Sequence, residues 1–172
     1  MTIEDEPVLR RRLDDTPPDG DGAEPLKERI ERLVTSQPYG VLCTHGDGLA
    51  YGSLVAFAFT DDLRFAVFAT PVATRKYRLL SEHQQVALVV DDRPQHQHQM
   101  MNVEAVTATG RADEIQDESM LESHSRLLLA RHPQLKSFYA AQSSALFRMK
   151  IARFFHVSRF QEVNQWVPDA TS

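Results

Sequence analysis

The chain has 172 residues, 42% of them hydrophobic and 25% charged, enough for one domain with a substantial core and too few for two comfortable ones. No stretch approaches the roughly 20 apolar residues that span a bilayer. The first residues hold no apolar signal core, and the lone cysteine, Cys43, forms no disulfide within the chain. A membrane-spanning role is therefore not expected, and a reducing cytoplasm is the default compartment. The net charge of −5 is concentrated at one end: residues 1–24 hold eight acidic and three basic side chains, and the rest of the chain has 16 of each. The folded part has no basic field that would draw nucleic acid. Any anion site must come from a local grouping of Arg and Lys.

Residues 1–23 mix Pro7, Pro17, Pro18, Gly20 and Gly22 with charges and bury too little to offset their ordering entropy, so they read as a mobile acidic tail. A domain over 24–166 follows, and 167–172 form a short C-terminal tail. Leu26, Ile30, Leu33 and Val34 make one apolar stripe of an amphipathic helix, started at Pro25 and stopped by Pro38. Tyr39–His45 and Leu49–Phe59 read as strands joined by the Gly46-Asp47-Gly48 turn, and a third strand covers Leu63–Thr70. A short helix fits 74–82. Gln85–Asp91 is a strand, Arg93–Gln99 a polar loop, and Asn102–Ile115 a long strand with a bulge or bend at Gly110. Residues 117–131 are helical, with a further turn or two over 134–142, and a last strand runs from Phe147 to Val157. Six mainly antiparallel strands with flanking helices predict an α+β protein built on a small closed barrel.

The segment from Phe68 to Arg78 carries the most chemistry. A strand ends, a turn with Pro71 follows, and a helix begins at Thr74, a good N-cap residue. Arg75 and Lys76 come next, and cations there oppose the helix dipole. A bound anion reverses that problem by accepting backbone N–H groups, the Thr74 hydroxyl and charge-assisted bonds from both cations; phosphate fits best. The other reading is a surface helix whose basic residues face water. Neither a P-loop nor a GxGxxG turn is present.

The ordered pattern resembles the pyridoxamine 5′-phosphate oxidase-like FMN-binding split barrels. A helix precedes Gly40-Val-Leu-Cys-Thr44, then come Tyr51-Gly-Ser-Leu-Val-Ala-Phe57, the Thr74-Arg75-Lys76 turn, Val86-Ala-Leu-Val-Val90 and Gly110-Arg-Ala112. The resemblance implies a six-stranded antiparallel split barrel, with the FMN phosphate on Thr74, Arg75 and Lys76. It places the isoalloxazine along Ser53, Leu54 and Val55, with Ala69 and Thr70 also facing the cofactor. It further implies a homodimer with the flavin at the subunit interface, where the second subunit contributes through Arg93–Gln99 and the C-terminal segment. Trp166 there is either a stacking partner for the flavin or a packing anchor. The second strand lacks the Arg of true pyridoxamine-phosphate oxidases, and the chain ends without their basic C-terminal motif, so the resemblance stops short of the vitamin B6 reaction.

The implied function is a flavin-dependent oxidoreductase acting on a small molecule, with no catalytic acid or base identifiable. The alternatives are a non-enzymatic flavin or haem-binding protein, and a deazaflavin-dependent reductase. His96-Gln97-His98 has the spacing of a metal-binding pair but reads as a polar loop, since no third ligand is fixed near it, so no metal is assigned. Cys43 reads as a small core residue. His124, on a helix with Met120, Leu127 and Leu128, reads as packed or capped.

Overall fold

The computed structural model describes residues 24–159 and 162–168. The acidic segment 1–23 and residues 169–172 of the C-terminal tail lie outside the described residues; of that tail, Val167 is exposed and Pro168 buried.

Helix α1 (Leu26–Ser36) has Pro25 at its N-cap and buries the four expected residues, Leu26, Ile30, Leu33 and Val34. Its apolar stripe packs into the main core against β2, β4, β5 and β7, defined below. The orphan carbonyls at its C-terminus are met from a distance: the Arg131 guanidinium donates to Val34 O at 2.6 Å and to Gln37 O. It also stacks over the Phe57 ring at 4.8 Å.

Strands β1 (Tyr39–Gly46) and β2 (Leu49–Phe59) form a hairpin. Its turn places Asp47 at φ 53° and Gly48 at φ 72°, the two left-handed residues that a tight hairpin twist requires. Strand β3 (Phe65–Pro71) begins two residues later than the sequence suggested. Leu63 is instead buried in the preceding turn at φ 57°. The Thr60 hydroxyl donates to Asp62 Oδ1 at 2.5 Å, and that same oxygen accepts Arg64 N–H at 3.0 Å. These local bonds compete with strand pairing and win.

Helix α2 (Arg75–Glu82), β4 (Gln85–Asp91) and β5 (Ala105–Glu114) follow, with short 3-10 turns at Arg93–Gln95 and Met100–Asn102. Then come α3 (Glu118–Arg131), a 3-10 turn at Pro133–Leu135, α4 (Lys136–Tyr139), β6 (Ser144–Ser158) and β7 (Glu162–Trp166).

The strands lie in the order β3-β2-β1-β4-β5-β6-β7, all neighbours antiparallel, and β3 also pairs with β6. That last pairing closes β1–β6 into the six-stranded barrel and covers most of their edges. Strand β7 is an addition that the sequence reading missed. It pairs with the far end of β6, Phe154–Ser158, where β3 has already ended. The bulge expected near Gly110 is present. Thr109 pairs with Arg153 and Gly110 with Ile151, so Ala152 has no partner on β5. A Cβ on Gly110 would lie 2.1 Å from the Lys150 carbonyl oxygen, which explains the glycine there.

The barrel interior holds the main core, including Phe57, Phe68, Phe147 and Phe154. A second cluster lies outside the barrel, where Ala58, Val67 and Leu146 on β2, β3 and β6 meet Leu128 of α3 and Tyr139 of α4. Helix α2 packs against β1 and β3.

Candidate functional site

The barrel wall is split between β2 and β3. Their ladder runs only through Phe57↔Phe68, Ala58↔Val67 and Phe59↔Ala66. Ahead of it, β2 from Leu49 to Ala56 pairs with β1 alone, while Ala69–Pro71 of β3 pair with β6. Backbone groups of an antiparallel strand point alternately to its two neighbours. Along Ser53–Val55, the groups aimed away from β1 therefore have no strand partner. The Ser53 hydroxyl is buried there and likewise unpartnered.

Helix α2 starts beside this split. Thr74 is its N-cap: its Oγ1 accepts Tyr77 N–H at 3.2 Å and donates to Pro71 O at 2.8 Å. Thr70, fully buried, places its own hydroxyl 3.1 Å from that of Thr74. The end of β3 and the start of α2 are thus locked together by two hydroxyls. The first turn of α2 has no acidic residue, so the positive end of its dipole is uncompensated. Arg75 is exposed and lies over the Tyr51 ring at 5.2 Å, tying that turn to β2 two residues from Ser53. Lys76 is half-buried and has no hydrogen bond or carboxylate partner among the described residues, and burial pushes its ammonium below the usual lysine range. Tyr77 pins the turn from the other side: its hydroxyl donates to Glu114 Oε2 at 2.9 Å, and its ring meets Phe147 edge-on.

Of the residues expected to face a cofactor, Ser53, Thr70, Thr74, Arg75 and Lys76 thus flank the split. Others point elsewhere. The Val55 side chain is 4% exposed and belongs to the main core, and Leu54 is 68% exposed on the opposite, outer face of β2. Only the backbone of 53–55 presents a continuous edge to the opening. Ala69 packs against the outer cluster beneath the helices. Trp166 pairs with Phe154 and packs on its ring at a tilt, centroids 5.6 Å apart, at the other end of β6 from Ser144 and the Thr70–Thr74 junction. Within one chain it is a packing anchor, remote from that junction.

Tyr51 and the Tyr77–Glu114 pair were missed at the sequence level. Tyr51 alternates with Ser53 and Val55, which was a usable signal; Glu114 is distant in sequence and left none.

The histidines fall into separate groups. His96 Nε2 lies 3.4 Å from Asp92 Oδ2, while His98 is exposed. His45 and His83 stack with ring centroids 4.7 Å apart. No group of three His, Cys, Asp or Glu side chains able to hold a metal ion occurs among the described residues. His124 is capped as expected, with Nδ1 2.9 Å from Met120 O. Cys43 is a correction: it lies half-buried among the outward-facing positions of β1, and burial raises its thiol.

A closed six-stranded barrel, split at one seam and carrying a cationic helix N-terminus beside that seam, defines the class of split barrels. Residues 26–158 match the profile of the family described as Pyridoxamine 5′-phosphate oxidase, and the chain belongs to that family. No curated protein matches the sequence. Among solved structures, a heme binding protein from Mycobacterium smegmatis is similar with a TM-score of 0.75 and 14% identity, covering 85% of this chain and 59% of that one. ChuZ of Campylobacter jejuni gives a TM-score of 0.71 at 9% identity, covering 83% and 59%. A FAD-binding protein from Mesorhizobium loti gives 0.61 at 17%, covering 76% and 90%. This chain therefore spans about three-fifths of the first two, and at these identities the likeness is one of fold. No helix among the described residues is long and apolar enough to cross a membrane.

Proposed function

We propose that this protein binds FMN in the seam between β2 and β3 and uses it as a flavin-dependent oxidoreductase on a small molecule. The observation that carries the reading is Lys76, a half-buried ammonium with no carboxylate partner, set in a helix first turn that holds no acid. Such a charge is costly alone and is relieved by an anion. A terminal phosphate fits these residues: Thr74, Arg75 and Lys76 receive it, with the α2 N-terminus behind. The unpaired β2 backbone and the orphaned Ser53 hydroxyl offer hydrogen bonds to the polar edge of a flavin ring. When bound, the flavin supplies the hydride or electron transfer, and the protein fixes its orientation and limits water access.

The second subunit of a homodimer completes the site in this reading. The outer face of β1 and β2 is small and apolar, with Leu54 68% and Tyr39 47% exposed, a surface suited to a second copy.

Titration of purified protein with FMN, followed by quenching of flavin fluorescence, tests the assignment. Arg75→Ala with Lys76→Ala removes two charge-assisted contacts and is expected to weaken binding by about 100-fold or more. Unchanged affinity would remove phosphate from this turn. Because only the charged form of Lys76 grips an anion, affinity is expected to fall as pH rises through its lowered value.

A second reading, haem, is favoured by the exposed His45 and the adjacent His83, whose imidazole nitrogens suit iron. Absorption spectra separate the two: flavin bands support the first and a Soret band the second.

A further inference from the structure

The loop between β4 and β5 carries donors that the seam does not use. Residues 94–103 contain no Asp, Glu, Lys or Arg, yet they read His96-Gln97-His98-Gln99-Met100-Met101 at their centre. Both thioethers are displayed, Met100 at 62% and Met101 at 59% exposure. The other described methionines are used differently: Met149 is fully buried in the main core, and Met120 packs against the outer cluster. Methionine is ordinarily a core-filling residue, and here two adjacent ones stand in water beside two imidazoles.

Turn hydrogen bonds fold the backbone that carries these donors. Gln99 N–H donates to His96 O at 3.0 Å, Asn102 N–H to Gln99 O at 2.8 Å, and Val103 N–H to Met100 O at 3.2 Å. The first of these bonds closes a turn over His96–Gln99, and the other two run through the 3-10 turn Met100–Asn102, so both imidazoles and both thioethers lie on two successive turns of one short segment. His96 is held from behind: its Nε2 lies 3.4 Å from Oδ2 of Asp92, a buried carboxylate that also accepts Glu104 N–H at 2.8 Å. Nδ1 of His96 has no partner among the described residues. A carboxylate behind an imidazole is the arrangement that orients metal-binding histidines.

We propose that residues 96–101 form a site for a soft monovalent cation, Cu(I), held by the imidazoles of His96 and His98 and the thioethers of Met100 and Met101. Thioethers select Cu(I) among common cellular metals, and imidazole suits it as well. All four donors are neutral, which matches a single positive charge. Hard cations such as Mg²⁺ need oxygen ligands, and Zn²⁺ favours thiolate, imidazole and carboxylate in sets of at least three.

Ag(I), a redox-inert stand-in, and Cu(I) under anaerobic ascorbate are titrated into tag-free protein by calorimetry, with stoichiometry read by native mass spectrometry. Cys43 is a competing soft donor, so wild type and Cys43→Ser are compared. The expected result is one ion per chain, retained in Cys43→Ser and absent with Mg²⁺. Met100→Leu with Met101→Leu, and separately His98→Asn, weaken it by about 10-fold or more. Copper X-ray absorption of the Cys43→Ser complex is expected to show nitrogen and sulfur together. Loss of the ion in Cys43→Ser, or a titration unmoved by the leucine pair, overturns the site. The leucine changes are near-isosteric at exposed positions and leave folding intact, which circular dichroism checks. The metal readout does not need flavin, so it stands or falls apart from the FMN titration.

Discussion

The outer wall of the barrel is treated in two ways. Where β2, β3 and the first half of β6 face outward, Ala58, Val67 and Leu146 lie beneath α3 and α4, and Leu128 fills the space between. Where β1 and the first half of β2 face outward, small and apolar side chains such as Val41, Cys43, Ala50 and Ala56 belong to neither core cluster, and Leu54 stands 68% exposed. The same strand, β2, passes from one regime to the other. Its covered end is also the end that pairs with β3, and its bare end is the end that borders the seam. Covering α-helices supply stability to one region. The other keeps its apolar surface available, and in the proposed reading a second subunit and a cofactor use it.

Substitutions in the two regions are expected to fail differently. Leu128→Ala removes a fully buried side chain of the covered region and is expected to cost about 2–5 kcal/mol. Chemical denaturation of the purified protein measures this, and a loss below about 1 kcal/mol would mean that α3 contributes little to the covered side. Leu54→Arg is expected to leave the stability of the single subunit within about 0.5 kcal/mol. In sedimentation velocity it is expected to convert a dimer into a monomer and to reduce FMN retention. An unaltered sedimentation coefficient would place the subunit contact elsewhere.

A pH effect is expected from the inner side of the wall formed by β5 and β6. His156 is fully buried, pairs across from Val106, and has no hydrogen bond to either ring nitrogen. Burial pushes its pKa below the ordinary 6.5, and Arg29 and Arg32 push the same way against the carboxylate of Glu104, 3.8 Å from Nε2. The unfolded chain therefore takes up this proton before the folded one does. Stability is fully present above the unfolded value and falls as pH drops from there towards the lower native value. Denaturation midpoints at about pH 7.5 and about pH 5.5 measure this, and His156→Asn is expected to flatten the difference. An equal slope in that variant would assign the acid sensitivity to another group. The smallest expected effect is at the seam: Thr74→Ala removes the N-cap and costs about 1 kcal/mol, read by thermal or chemical denaturation without ligand.

Much of the barrel was legible because its signals are local. The alternation of Leu49–Phe59 and the apolar run of Gln85–Asp91 gave both strands their limits, and Thr74 announced a helix start through cap chemistry alone. Strand β7 was not legible: Glu162-Val-Asn-Gln-Trp166 has two apolar residues in five and owes its conformation to the free edge of β6. At the seam, the residue types of the anion turn could be read directly. The separation of β2 from β3, the isolation of Lys76 and the orphaned Ser53 hydroxyl could not, since each depends on which strand is missing from a neighbour's side. Leu54, Val55 and Ala69 show the same limit, because alternation tells two faces apart and does not tell which of them is core, surface or seam.

The unpaired Ala152 acts as a phase shifter along β6. Before it, Ala145, Phe147, Met149 and Ile151 point into the barrel; after it, Phe154, His156 and Ser158 do. Odd positions hand the interior to even ones at a single residue. Deleting Ala152 would leave Ile151, Phe154, His156 and Ser158 facing inward in unbroken alternation, whereas straightening the strand with Ala152 retained would turn Phe155 and Val157 inward and expel His156 and Ser158 towards solvent. The bulge thus carries information that no side chain of Ala152 expresses: it absorbs one extra residue and keeps both halves of the strand in phase with the barrel.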